Sequence, residues 1–323
     1  MARVLRPLLL VFVAAASTAW GQDVPVAEPS PEAVLLALET ADARLTVPVA
    51  VGERGPYNFI IDTGAERSVV SRELARILRL EPGKPVSLTS MTGTERVDTV
   101  IVPDLTIRTI GRPHRVIAPA LFARHLGAAG LLGIDTLRDH QVSIDFERNV
   151  MAVQPSSKRA KRQRRGPDEI VVTAKSLFGQ LIVTDAFYGS TRIRVVLDTG
   201  SAVTIGNEAL RRRIGRRAAA AQPISLTSVT GDTTYAAYTM IPNISVGRVQ
   251  FGSLPVAFAD VAPFHRFGLA EHPALLLGMD ALRSFRRVDI DFANRQVRFV
   301  MPKDTARPGA RWSWAGQQDW RPR

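Results

Sequence analysis

The chain contains the same ordered set of short strings twice, and no other feature limits its fold as strongly. Phe59-Ile60-Ile61-Asp62-Thr63-Gly64-Ala65 returns 136 residues later as Val195-Val196-Leu197-Asp198-Thr199-Gly200-Ser201. Ser87-Leu88-Thr89-Ser90-Met91-Thr92-Gly93 returns as Ser225-Leu226-Thr227-Ser228-Val229-Thr230-Gly231. Leu131-Leu132-Gly133-Ile134-Asp135 returns as Leu276-Leu277-Gly278-Met279-Asp280, and Ile144-Asp145-Phe146 as Ile290-Asp291-Phe292. The matches keep their order while their separation grows from 136 to 146 residues, mostly between the second and third. A unit of more than a hundred residues is a duplicated domain and not a solenoid repeat. The 323 residues are enough for two domains, and 46% hydrophobic residues give each a core.

Within each copy the pattern reads mostly as strand. Leu45–Val51, Tyr57–Ile61, Val97–Val102, Gln141–Phe146 and Val150–Val153 alternate or are β-branched. Arg148-Asn149 and Asn294 mark hairpin turns. Helices are short: Ser71–Leu80, Glu208–Ile214, and a turn or two after Asp135 and Asp280. Two small β-rich lobes follow, over residues 22–153 and 169–303.

The segments outside the repeats read differently. Arg3 and Arg6, the apolar run Leu8–Ala16 and small residues at Ala19 and Gly21 make residues 1–21 a signal peptide cut before Gln22. The apolar run is short for a bilayer span, so an uncleaved anchor is the secondary reading. Export to the periplasm or cell exterior of a bacterium is the expected location. Residues 154–168 hold six Lys and Arg residues without apolar periodicity and read as a basic, solvated linker; a processing site or a patch on an anionic envelope surface are the alternatives. Residues 304–323, with Trp312, Trp314 and Trp320 among arginines, read as a terminal tail.

The net charge of +12 favours acidic partners without choosing among them, and nucleic acid is not expected as the partner. The absence of cysteine excludes disulfides, thiol nucleophiles and thiolate metal sites. His114, His125, His140, His265 and His272 lack the spacing of a metal site, and no cofactor is expected. There is no Gly-x-Ser-x-Gly elbow and no phosphate-binding loop.

The remaining chemistry lies in the carboxylates. Each Asp-Thr-Gly ends an apolar strand, so Asp62 and Asp198 are delivered from a core into a turn. Gly64 and Gly200 let another backbone approach closely, and the Thr63 and Thr199 hydroxyls can tie the loops together. Two facing carboxylates cannot both ionise easily and share a proton, the aspartic-protease dyad being the general example. Such a pair offers a base and an acid at once.

These three blocks per copy, the apolar run into Asp-Thr-Gly, the Gly-tipped hairpin and Leu-Leu-Gly before a short helix, resemble the retropepsin-like aspartic peptidases, and among them the exported bacterial forms with two tandem repeats in one chain. The resemblance covers residues 40–153 and 177–300. It implies a mainly β fold of two barrel-like lobes about a pseudo-two-fold axis, with a monomer assembling the site that viral relatives build from two chains. It implies Asp62 and Asp198 as the catalytic dyad, braced by Thr63, Gly64, Thr199 and Gly200. It places Met91, Thr92, Gly93, Val229, Thr230 and Gly231 in two substrate-binding flaps. The implied activity is endopeptidase cleavage of extended protein or peptide segments by a dyad-activated water. The alternative is a non-catalytic envelope module that binds peptides on the same fold.

Two further acidic pairs need a reading. Asp135 and Asp280 are expected to be N-caps of the short helices that follow them. Asp145 and Asp291 are expected to be solvated or paired residues at strand ends. Glu66 and Arg67 in the first copy stand where the second has Ala202 and Val203, and read as a solvated turn, polarisation of the acid pair being the alternative.

Overall fold

The computed structural model describes residues 46–107, 114–156, 166, 168–177, 179–215 and 221–303. The expected signal peptide, most of the basic segment and the Trp- and Arg-rich tail lie outside the described residues.

The apolar run before each Asp-Thr-Gly is the middle of a sheet. Phe59, Ile60 and Ile61 are buried, as are Val195, Val196 and Leu197. A strand covered on both faces carries a continuous apolar run instead of an alternation. Ile60 pairs in parallel with Leu131, and Val196 pairs in parallel with Leu276, so the two copies repeat the same pairing.

Around the first centre lies a seven-stranded sheet. Its order is Thr46–Val51, Arg54–Ile61, Gly130–Leu132, Val69–Ser71, His114–Leu121, Thr94–Ile107 and Glu81–Thr89. Thr46–Val51 also pairs with the far end of Thr94–Ile107, through Val49↔Ile107 and Val51↔Leu105, which curls the sheet into a barrel-like lobe. A ten-stranded sheet surrounds the second centre. The protein is thus mainly β, with two tandem lobes related by a pseudo-two-fold axis.

The short helices are set by local caps. Ser71 accepts from the Leu74 N–H and opens Arg72–Leu78. Asn207 accepts from the Leu210 N–H and opens Glu208–Ile214 at the matching place. The last turn of the second helix carries Arg211, Arg212 and Arg213, where the negative end of the helix dipole favours cations.

A third sheet joins the lobes. Its five strands run Glu169–Thr173, Gln296–Val300, Arg287–Asp291, His140–Asp145 and Val150–Pro155, mixing both copies. The repeated Ile144 and Ile290 strands pair antiparallel, Val142 with Ile290 and Ile144 with Val288, as a two-fold axis between them requires. Ser143 Oγ donates to Asp289 Oδ1 at 2.6 Å, and Ser156 Oγ donates to Asp291 Oδ1 at 2.8 Å, across the junction. Asp145 accepts from the Arg148 N–H at its own turn, so both matched acids are paired. Val142, Ile144, Val288, Ile290, Val297 and Phe299 belong to one apolar core that continues into both lobes. Truncating Ile144 or Ile290 to Ala there costs about 2–5 kcal/mol.

Candidate active site

The two Asp-Thr-Gly loops meet on the pseudo-two-fold axis and are tied to each other by four hydrogen bonds. Thr63 Oγ1 donates to the Leu197 carbonyl at 2.8 Å and accepts from the Thr199 N–H at 3.1 Å. Thr199 Oγ1 donates to the Ile61 carbonyl at 2.6 Å and accepts from the Thr63 N–H at 3.1 Å. Both threonines are buried. A hydroxyl is needed because each side chain both donates and accepts.

The same packing brings each carboxyl over the other loop's glycine. A Cβ on Gly64 would fall 2.8 Å from Asp198 Oδ1, and one on Gly200 would overlap the Asp62 carboxyl. Any larger residue at either place would force the loops apart. Within its own loop, Asp62 Oδ1 accepts the Gly64 and Ala65 N–H groups at 2.9 and 3.0 Å. Asp198 Oδ1 accepts the Gly200 and Ser201 N–H groups at 3.1 Å. Each acid is therefore oriented by two N–H groups of its own loop. Both line a cavity of about 750 Å³ between the lobes.

The Leu-Leu-Gly strands hold these loops from below. The Leu132 and Leu277 carbonyls accept the Asp62 and Asp198 N–H groups at 2.9 and 3.1 Å. Asp135 and Asp280 are not N-caps. Gly133 and Gly278 occupy the cap positions of Ile134–Leu137 and Met279–Leu282, and each aspartate is the second helical residue. From there the side chain reaches across to the segment that follows the Asp-Thr-Gly loop. Asp135 Oδ1 accepts from the Ser68 N–H and Oγ–H at 2.9 and 2.7 Å. Asp280 accepts from the Thr204 N–H at 3.0 Å and from Thr204 Oγ1–H at 2.6 Å. Burial pushes the Asp280 carboxyl up to about 6, against the opposing effect of its hydrogen bonds from Thr204. Tyr238 is pushed up to about 12, first by burial and then by the Asp280 charge.

The flap residues expected from the sequence form two hairpin tips, and each tip crosses to the opposite lobe. In the first, between Glu81–Thr89 and Thr94–Ile107, the Met91 carbonyl accepts the Ala262 N–H at 3.1 Å, and Met91 packs on a core cluster of the second lobe. In the second, Val229 packs on a cluster of the first lobe, and Gly231 lies against the His125 ring. Thr92 Oγ1 donates to Asp232 Oδ2 at 3.5 Å, joining tip to tip. Thr230 Oγ1 donates to the same Asp232 oxygen at 3.0 Å. Met91 and Val229 of the two tips line the cavity.

Three lining features were not expected from the sequence. Glu66 is no solvated turn residue: Arg266 grips it across the lobes with Nε–Oε1 at 2.6 Å and a second bond at 2.8 Å. The buried Gln180 donates from Nε2 to the Gly64 carbonyl at 3.2 Å. His125 lines the cavity and accepts from Arg124 Nε at 3.0 Å. The unequal charge at Glu66 and Ala202 was the one signal in the sequence; nothing near Gln180 or Arg266 marks them in the amino-acid string.

Two β lobes that bring one Asp-Thr-Gly loop each to a common axis, under paired flaps, define the architecture of a single-chain acid protease. The sequence agrees: residues 47–136 and 184–281 each match the aspartyl protease family, and together they make up more than half of the chain. The chain belongs to that family. No curated protein matches it.

Proposed function

We propose that the chain is an aspartic endopeptidase that hydrolyses peptide bonds with Asp62 and Asp198 as its dyad. The observation that carries this reading is the reciprocal lock of the two loops, which sets each carboxyl over the opposite glycine on the lining of a cleft between the lobes. Partly buried like charges so close favour a shared proton. The ionised member takes a proton from a water, whose oxygen attacks the scissile carbonyl carbon. The protonated member donates to the carbonyl oxygen. Collapse of the resulting diol breaks the C–N bond, and a proton from the pair passes to the leaving nitrogen. Glu81–Thr89 and Gln222–Thr227 are terminal strands of their sheets, and with the flap tips they suit an extended peptide bound by strand addition. Residues 1–21 are read as an export signal, which makes the substrates proteins of the periplasm or cell exterior.

The test is a fluorogenic peptide library across pH 3 to 8, with and without a statine-type inhibitor. Cleavage that the inhibitor blocks is the expected result. Peptides held tightly and never cut would replace the peptidase by a binding module.

A further inference from the structure

The cleft is symmetric at its centre and asymmetric at its ends. The first end is formed by Glu66 of the first lobe, Arg266 at the close of the second-lobe helix Ala262–Arg266, and the Met91 flap tip bonded to Ala262. There the cation of one lobe meets the acid of the other. The two-fold operation carries Glu66 to Ala202: the Glu66 carbonyl accepts the Asp135 N–H, and the Ala202 carbonyl accepts the Asp280 N–H. It carries the second-lobe helix to Ala123–Leu126, which lies against the other flap tip through His125 and Gly231. The second end has a cation on its lining, Arg124, carried near the start of its helix where Arg266 closes the other, and it has Ala202 and Val203 in place of an acid and its neighbour.

Arg124 is held ready for a partner. Its guanidinium stacks on the Phe122 ring at 4.3 Å, and its Nε is bonded to His125. Arg72 covers the same ring at 4.4 Å and adds positive charge. Among the described residues no carboxylate forms an ion pair with Arg124. Glu73, whose charge Arg124 stabilises, has Oε2 engaged by the Ala123 N–H at 2.9 Å. Arg67, also on the lining, is an exposed cation at the first end.

Resting on the peptidase reading, we propose that the second end of the cleft is a subsite for an acidic side chain, with the substrate's Asp or Glu carboxylate supplying to Arg124 the charge that Glu66 supplies to Arg266. Substrates then carry a carboxylate on one side of the cut bond, and the pseudo-symmetric cleft has a defined polarity.

The experiment uses matched peptides with a single Glu or Gln moved through each position on either side of the cut. Wild type should prefer Glu by about two- to fivefold in kcat/KM on one side only, as an ion pair with an exposed Arg allows, and less so at high salt. The same assay on Arg67→Gln should leave the Glu preference at the second end unchanged. The preference should vanish in Arg124→Gln, persist in part in Arg124→Lys, and vanish in Ala202→Glu, which builds the missing acid into the protein. Equal use of Glu and Gln, or a preference that neither Arg124→Gln nor Ala202→Glu alters, overturns the proposal. If no peptide is cut, the peptidase reading fails by itself. Fluorescence anisotropy of the same peptides on the Asp62→Asn chain still reads the Glu preference, and its absence there overturns the subsite.

Discussion

The two lobes are nearly interchangeable at their Asp-Thr-Gly loops and diverge in charge four residues after each aspartate. Thr63 and Thr199 make the same pair of bonds in opposite directions, and Gly64 and Gly200 each receive the other loop's carboxyl from across the axis. Beyond them, Glu66 and Arg67 stand where the second copy has Ala202 and Val203, and among the described residues only the first lobe's loop is gripped by an arginine of its neighbour. The difference separates two demands. A carboxylate pair that shares one proton requires matched surroundings at the axis, whereas a cleft that recognises an asymmetric polymer gains from unequal ends.

The equality at the axis is the part most easily broken. Asp62→Asn and Asp198→Asn should each lower kcat by about a thousandfold or more, to a similar extent, because neither acid can do both proton transfers. A peptide-cleavage assay in which one variant keeps much of its activity would break the symmetry. Thr63→Val and Thr199→Val each leave a buried N–H and a buried carbonyl without partners. Each should cost about 2–4 kcal/mol in denaturant unfolding, and the two costs should agree. Ser in either place should recover most of the loss.

The tie below the second loop makes stability depend on pH. The folded Asp280 carboxyl holds its proton up to about pH 6, against an ordinary value of 3.8. The folded state thus binds that proton more tightly than the unfolded chain does. This contribution is fully present below about pH 4 and is lost as pH rises through 6, with a magnitude on the order of 3 kcal/mol. Asp280→Asn should remove that slope, as read from urea midpoints between pH 4 and 7. Glu66→Gln is expected to have the smallest effect, about 0.5 kcal/mol, because both partners of the ion pair with Arg266 are partly exposed. Its unfolding midpoint should become less sensitive to salt.

Much of this site was legible from the string of residues because its parts are local. An apolar run into Asp-Thr-Gly, a Gly-tipped hairpin and Leu-Leu-Gly each state a backbone shape within a few residues, and their repetition supplies the axis. What was not legible depends on contacts between distant segments. Asp135 and Asp280 read as caps because an acid before a short helix usually is one. The glycine two residues earlier takes the cap position, and this frees each acid to bind Ser68 or Thr204, 67 and 76 residues away. The five-stranded sheet was hidden for the same reason: His140–Asp145 belongs to the first copy by order but pairs with Arg287–Asp291 of the second. Glu66 shows the limit most simply. Its charge was visible, but its partner lies 200 residues on.

The central claim is that one chain brings both acids into one site, and mixing tests it directly. Asp62→Asn chains and Asp198→Asn chains are assayed apart and then together after joint unfolding and refolding. With the dyad made inside a single molecule, each preparation and the mixture are inactive, and wild-type specific activity does not change on dilution. Recovery of a substantial fraction of wild-type activity in the mixture would mean that lobes of different chains complete the site, and would contradict the account.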